Sequence, residues 1–250
     1  EFYCFITYRL DQFSQTTAND NLKNALIERS RVIAGAAEKL EQLKKHLFAE
    51  IAHEKANGSV LKNTLIYAAP GSHRDVIKMI SGLGVRCHEF VHGVSVSERE
   101  ELLARFSKGE IQVLVAIKCL DEGVDVPATE RAYFLASTTN PKEFIQRRGR
   151  VLRKCVGKEK AKIIDFIVLP DLEAGSLGND SAMSLLKREI ARFGEFARES
   201  LNMFAARKEV FDTLNQLGVV DLLDKEPWEI YGAARTNDVE ESEIMLGVES

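Results

Sequence analysis

The spacing of apolar and polar residues changes several times along the chain, and each change marks an element. Residues 1 to 16 are apolar and aromatic, with Phe2, Tyr3, Phe5, Ile6 and Tyr8, which suits an edge strand or a covering segment. From Asn21 the pattern turns helical: Leu22, Leu26, Ala36, Leu40, Leu43, Leu47 and Ile51 recur at threes and fours with charges between them. One or two helices are expected here, stopping near Asn57-Gly58. Strands and helices then alternate. Residues 60 to 69 form an apolar strand closed by Pro70-Gly71, and 73 to 82 a helix with Val76, Ile77 and Ile80 inward. Strands at 85–91, 111–117, 132–136 and 161–169 are interleaved with helices at 97–106 and 141–152. Short apolar strands separated by amphipathic helices of about ten residues indicate crossovers on both faces of a parallel sheet. The expected fold class is therefore α/β, a doubly wound core over 60–170, with any ligand at the carboxyl ends of the strands.

Past Pro170 the strand signals stop, and Met183, Leu186, Ile190, Phe193, Phe196 and Leu201 predict one long amphipathic helix reaching Leu217. It either packs on the core or bridges to another body. From Asp221 the chain is acidic, with Asp224, Glu226, Glu229, Asp238, Glu240, Glu241 and Glu243, and is a poor surface for phosphate. Trp228 could anchor this tail. Tyr67, Phe90, Phe106, Phe134 and Phe166 fall on strand or inward helix positions and are read as core.

Composition narrows the picture without deciding it. The 250 residues suit one domain with attachments or two small ones. Lys plus Arg total 34 against 38 Asp plus Glu, a formal charge of -4, so the bulk charge does not predict a nucleic-acid binder and local charge must. Cys4, Cys87, Cys119 and Cys155 are scattered without C-x-x-C spacing, as free thiols of a reducing cytoplasm would be. No apolar run approaches the roughly 20 residues of a membrane span and no signal-peptide pattern is visible, so a soluble, cytoplasmic protein with no membrane partner is expected. The start at Glu1 reads as the middle of a polypeptide.

Positive charge gathers at 141–162, P-K-E-F-I-Q-R-R-G-R-V-L-R-K-C-V-G-K-E-K-A-K. On a helix, Arg147, Arg150 and Arg153 would share a face while Phe144, Ile145 and Val151 hold it to the core. Gly149 in such a helix costs about 1 kcal/mol relative to Ala, so a backbone or phosphate lying against it would explain it. A solvated basic face is the bland alternative to a phosphate-facing array, and the clustering favours the array. At 113–127 a buried strand runs into Asp121, Glu122 and Asp125 around Gly123, the three acids being suited to sugar hydroxyls or to neighbouring arginines. No metal site is assigned, since no His cluster supports one. His92-Gly93 follows a strand, either where nucleic-acid backbone approaches or in an ordinary turn, and His73 either caps a helix or is idle. The chain has no G-x-x-x-x-G-K-[ST], and Gly157-Lys158 runs into Glu159 without a hydroxyl. Arginines without a phosphate cradle could complete a nucleotide site without binding nucleotide well alone.

These segments carry a family resemblance. Q-R-R-G-R-V-L-R at 146–153 resembles the arginine-rich motif VI, D-E-G-V-D-V-P at 121–127 resembles motif V, and T-L-I-Y-A-A at 64–69 is similar to motif IV of superfamily 2 helicases. His92-Gly93, followed by Arg99 and Phe106, matches the stretch between them. The chain thus resembles the C-terminal RecA-like lobe of a superfamily 2 DEAD/DEAH-type helicase or translocase, similar to those of bacterial restriction and phage-defence systems. Residues 29–43 look like the helical connection between lobes. The resemblance implies three segments: 1–59 as inter-lobe connection and helical segment, 60–170 as the RecA-like domain, and 171–250 as helical extension and acidic tail. It implies that Arg150 and Arg153 reach the phosphates of ATP, that Gln146 lines the nucleotide site, and that Arg147 pairs with acids of the first lobe. Asp125 would approach the ribose, with Gly123 allowing close packing. The backbone at Ala68, the His92-Gly93 loop and Lys118 would lie along one strand of nucleic acid, contacting phosphates and not bases. Ile117 departs from the threonine that members often carry there, which leaves the grip to backbone N–H groups or Lys118. ATP and Mg2+ would be held mainly by the N-terminal RecA-like lobe. The implied partners are nucleic acid, DNA ahead of RNA, that lobe, and restriction or defence subunits. The activity expected is ATP-dependent helicase or translocase in the full-length protein, with this chain inactive alone. The competing reading is a non-catalytic interaction or assembly module that uses the helices at 21–57 and 178–217.

Overall fold

Apolar strand segments flanked by amphipathic helices fold here into a single parallel sheet. The computed structural model describes residues 2–9, 37–69, 71–91, 95–117, 126–135, 141–169 and 180–230. In chain order the elements are β1 (Phe2–Arg9), α1 (Ala37–Ala56), β2 (Thr64–Tyr67), α2 (His73–Gly82), β3 (Cys87–Phe90), α3 (Val96–Ser107), β4 (Val113–Ala116), β5 (Arg131–Phe134), α4 (Pro141–Val151), β6 (Ala161–Leu169), α5 (Asp180–Arg198), α6 (Met203–Gln216) and a 3-10 turn (Val220–Leu223). The six strands lie in the order β1-β6-β5-β2-β4-β3, and every neighbouring pair is parallel. The α/β expectation holds, and β1 takes the edge-strand option, with Phe2 opposite Ala161.

β2 and β4 are buried at all four of their positions, as central strands covered on both faces must be. Alternation along β2 sends Leu65 and Tyr67 to one face and Ile66 and Ala68 to the other. The first face packs against Leu102 and Phe106 of α3, Phe144 of α4, and α5 and α6. The second packs against Leu43 and Leu47 of α1 and Val76 and Ile80 of α2. All five aromatic residues assigned to the core are buried. Trp228 is 62% exposed, and the tail from residue 231 lies outside the described residues.

Several boundaries differ from the expected ones. β2 starts at Thr64 because Asn63 takes φ 51, a left-handed conformation that Asn tolerates better than most residues. From there the Asn63 carbonyl accepts the Glu130 N–H at 2.8 Å, and its Nδ2 donates to Glu130 Oε1 at 2.7 Å. α1 ends before Asn57, with Gly58 at φ 70 as the stop, while the helical pattern before Ala37 lies outside the described residues. The single long C-terminal helix is two helices, interrupted between Arg198 and Met203. It packs on the core: Leu186, Ile190, Phe193 and Phe196 are 0% exposed. Gly194 in α5 lies against the 3-10 turn, where a Cβ would come within 3.3 Å of the Leu223 carbonyl oxygen.

Charge fastens α1 to the sheet at both ends. Near its start, Lys39 Nζ donates to the Leu135 carbonyl at 3.0 Å, just past β5. It shares a buried group with Arg192, whose Nε meets Asp165 Oδ2 at 2.7 Å and whose Nη1 meets Glu189 Oε1 at 2.9 Å. Two cations and two anions balance there, as burial requires. Burial lowers the Lys39 pKa to about 8 against the pull of Glu189, and burial raises that of Asp165 against the pull of Arg192. Near the end of α1, Glu50 pairs with Arg131 at 3.0 Å and Lys162 at 2.6 Å, and Arg131 also binds Glu54. No helix among the described residues is long and apolar enough to cross a membrane.

Candidate nucleotide and nucleic-acid interface

The arginine-rich run folds as α4, which opens on Pro141, a residue pre-set for the first helical position. Glu143 in the first turn and Arg148 and Arg150 in the last suit the helix dipole. Phe144 and Val151, each 1% exposed, fix the helix to the core. What remains of the run is divided among different tasks.

Arg147 turns inward. It is 6% exposed, its guanidinium carbon lies 5.7 Å from the centroid of the Tyr67 ring, and its Nη2 is 3.5 Å from Glu143 Oε2. Arg148 points to α5, where Nη1 donates to the Glu195 carbonyl at 3.1 Å and Nη2 meets Glu195 Oε1 at 3.0 Å. Its guanidinium carbon is 5.7 Å from the Phe196 centroid. Gln146 and Arg153 are exposed and Arg150 is half-buried. The expected common face of Arg147, Arg150 and Arg153 is therefore corrected: Arg147 is drawn into the core, and Arg153 lies beyond Val151, the last helical residue. Gly149 is exposed, and a Cβ there would meet nothing within 4 Å, so no part of the described fold requires the glycine.

Lys158 holds the end of this helix. Its Nζ donates to the Val151 carbonyl, to that of Arg153 at 3.0 Å and to that of Pro127 at 3.1 Å. Burial lowers its pKa, opposed by the nearby Cys155 and Glu130. The Val151 carbonyl, left open by the helix end, is thereby satisfied, and the same ammonium ties it to Arg153 just past the helix and to Pro127 before β5. The Gly157-Lys158 pair, which lacks the glycine-rich approach and hydroxyl of a phosphate loop, is a helix clamp in the fold. Neither Lys158 nor Arg148 carries a periodicity signal; only a partner distant in sequence reveals their use.

The carboxyl edge of the sheet is formed by the ends of β2, β4 and β5. Ala68 stands there, 3% exposed, with its N–H donated to the Ala116 carbonyl at 2.9 Å. The Ile117 N–H donates to the Phe90 carbonyl at 3.2 Å and the Leu135 N–H to that of Tyr67 at 3.0 Å. Those amides are committed to the sheet. Arg147 over Tyr67 docks α4 beside the same edge. His92, Gly93, Lys118, Gly123 and Asp125, and with them Asp121 and Glu122, lie outside the described residues. His73 opens α2 and sits 3.8 Å from Glu89.

With this geometry in place, comparison with known proteins supplies the family. Residues 38–155 match the family described as helicase conserved C-terminal domain. This segment is similar to helicase C-terminal domains. A DNA 3'-5' translocase XPB2 of Sulfurisphaera tokodaii is 44% identical over 71 residues, which are 28% of this chain and 16% of that protein. A putative ATP-dependent helicase IRC3 of Saccharomyces cerevisiae is 30% identical over 135 residues, 54% of this chain and 19% of that protein. The chain thus spans less than a fifth of these relatives. Among solved structures, the C-terminal domain of the DEAD-box protein Dbp5 is 17% identical, covering 65% of this chain and 82% of that one with a TM-score of 0.45. The helicase domain begins within α1 and ends just beyond Arg153, so the whole arginine run belongs to it.

Proposed function

We propose that this chain is the second motor lobe of an ATP-dependent nucleic-acid translocase or helicase. Arg150 and Arg153 act as fingers on the departing phosphoryl group, and Gln146 lines the same site. The observation that supports this most is the docking of α4 by Arg147 and Arg148 beside the carboxyl edge of the sheet, with Gln146 and Arg153 exposed and Arg150 half-buried on the same segment. Planar guanidinium forks fit phosphoryl oxygens, and such fingers act by stabilising charge that develops in the transition state. The sequence has no phosphate cradle of its own, so ATP and Mg2+ fall mainly to the N-terminal lobe, where the metal neutralises phosphate charge when bound. Asp125 and Gly123 are proposed at the ribose side.

Nucleic acid is proposed to run past Ala68, the His92-Gly93 loop and Lys118. Because the Ala68 N–H is committed to the sheet, residues after Ala68 and the Lys118 side chain carry that grip. DNA is the proposed substrate, in keeping with the name of the translocase relative and the likeness of the motifs to those of restriction and phage-defence proteins. A cytoplasmic defence complex is the proposed setting.

In the protein containing both lobes, Arg150→Ala is expected to lower ATP turnover by about 1,000-fold, measured by phosphate release, with an unchanged circular dichroism spectrum. Turnover at the wild-type rate would remove the finger assignment. Binding of the same protein to single- and double-stranded DNA and RNA across a salt series reads the substrate, and tighter binding to RNA than to DNA at matched salt would reverse the preference stated above.

A further inference from the structure

α5 lies outside the matched helicase segment, yet it grips the arginine helix at one point. Arg148 is bound twice by Glu195, through the backbone carbonyl at 3.1 Å and through Oε1 at 3.0 Å, with the two side chains 13% and 12% exposed. Below this pair Phe196 receives the Arg148 guanidinium on its ring and packs edge-on against Phe144 of the same helix, ring centroids 5.9 Å apart. Phe196 also meets Phe134 at 5.5 Å, and Phe134 stacks on Tyr67 at 4.5 Å, the ring under Arg147. Two consecutive arginines of α4 are thus seated on the two ends of one aromatic row. That row runs from α5 through β5 to β2. Arg147 is one turn of helix before Arg150 and Arg148 is two residues before it, so the two seats set both the position and the rotation of α4.

We propose that Arg148 is a positioning residue for the nucleotide site, held by Glu195 and Phe196, and that α5 is for this reason a working part of the motor lobe. The inference rests on the finger reading of Arg150. A partly buried arginine held by one carboxylate oxygen and one backbone carbonyl of the same glutamate, with a ring beneath it, restricts its helix in a way that a solvent-exposed pair does not. Arg150 lies two residues after Arg148 in the same helix and Arg153 five residues after it, just past the helix end, so looseness at Arg148 is passed to them as displacement of the donors from phosphoryl oxygen.

Two measurements test this. In the 250-residue chain, Arg148→Met and Glu195→Ala are each expected to speed amide hydrogen exchange within α4 by about 5- to 10-fold, with the double variant no faster than either, while β2 and α2 amides keep their rates. In the protein with both lobes, either variant is expected to lower kcat for ATP by about 10-fold with KM for ATP within about twofold of wild type, the split that separates misplacement from lost binding. Unchanged exchange in α4 overturns the positioning role. Faster exchange with wild-type kcat overturns its bearing on the reaction. Arg150→Ala, assayed alongside, separates the two readings: if it lowers kcat while Arg148→Met does not, only the positioning role falls, and if neither lowers it, the finger reading falls as well.

Discussion

Side chains of one type, a few positions apart, do unlike work in this protein. Arg147 and Arg148 are adjacent and chemically identical, but one lies over Tyr67 and the other over Phe196. In the sequence the run is a candidate anion site, because arginines gather there beside a glycine, but nothing in it says which of them turn inward. That choice depends on which side of α4 meets the sheet and on a ring more than forty residues away. The glycines make the same point and give a prediction. Gly149 has open space where a Cβ would sit, so Gly149→Ala should leave the fold unharmed and gain about 0.5 kcal/mol from helix propensity in urea titrations. If a phosphate lies against Gly149, the same variant loses turnover in the protein with both lobes despite that gain. Gly194 has the Leu223 carbonyl oxygen at 3.3 Å, and Leu223 is itself buried. There the forced shift outweighs the propensity gain, and Gly194→Ala should cost about 1 kcal/mol. Equal effects of the two substitutions would contradict this packing.

Among the elements, α1 was expected as part of a connection between lobes, and the structure makes it a fixed cover on one sheet face. Its apolar stripe, Leu43 and Leu47, was plain from periodicity. Its charged residues lie between those apolar positions with no sign of a partner in the pattern, yet Lys39 and Glu50 are the two points by which it is tied down. Glu50 allows a test of sign. Burial pushes its carboxyl up, but the hydrogen bond and charge of Lys162, together with Arg131, outweigh this and hold it below its ordinary 4.5. A carboxyl whose folded pKa is depressed adds stability that is present above the unfolded pKa and lost as pH falls through the folded one. Glu50→Gln should therefore cost about 1 kcal/mol at neutral pH and narrow the difference from wild type as the pH drops below about 4.5, followed by thermal melts across that range. A constant difference at all pH values would assign the loss to packing instead.

For the molecule as a whole, the limit of the helicase segment is not the limit of the folded body. Leu186, Ile190, Phe193 and Phe196 of α5 are 0% exposed and belong to the same core as Leu65, Phe106 and Leu114 of the sheet and α3. Burying four large apolar side chains contributes about 6–12 kcal/mol, comparable to the entire stability of a typical domain. A chain ending at residue 179 is therefore expected to lose cooperative unfolding in urea, read by circular dichroism, and to bind a hydrophobic dye. A truncated chain with the full-length midpoint would make α5 and α6 an independent attachment.

The alternation of strand and helix, the two-sided burial of the central strands and the helix that carries the arginine segment were all readable from residue order, because each depends on local period. The bond from Lys158 to Pro127 and the separate seats of Arg147 and Arg148 were not, because each depends on contact between residues far apart in the chain. Glu195 meets Arg148 across 47 positions, and no pattern within either helix records that meeting. A helix's own spacing says which face is apolar, whereas the neighbour that face selects, and hence the work left to each charge around it, is settled only when the layers close.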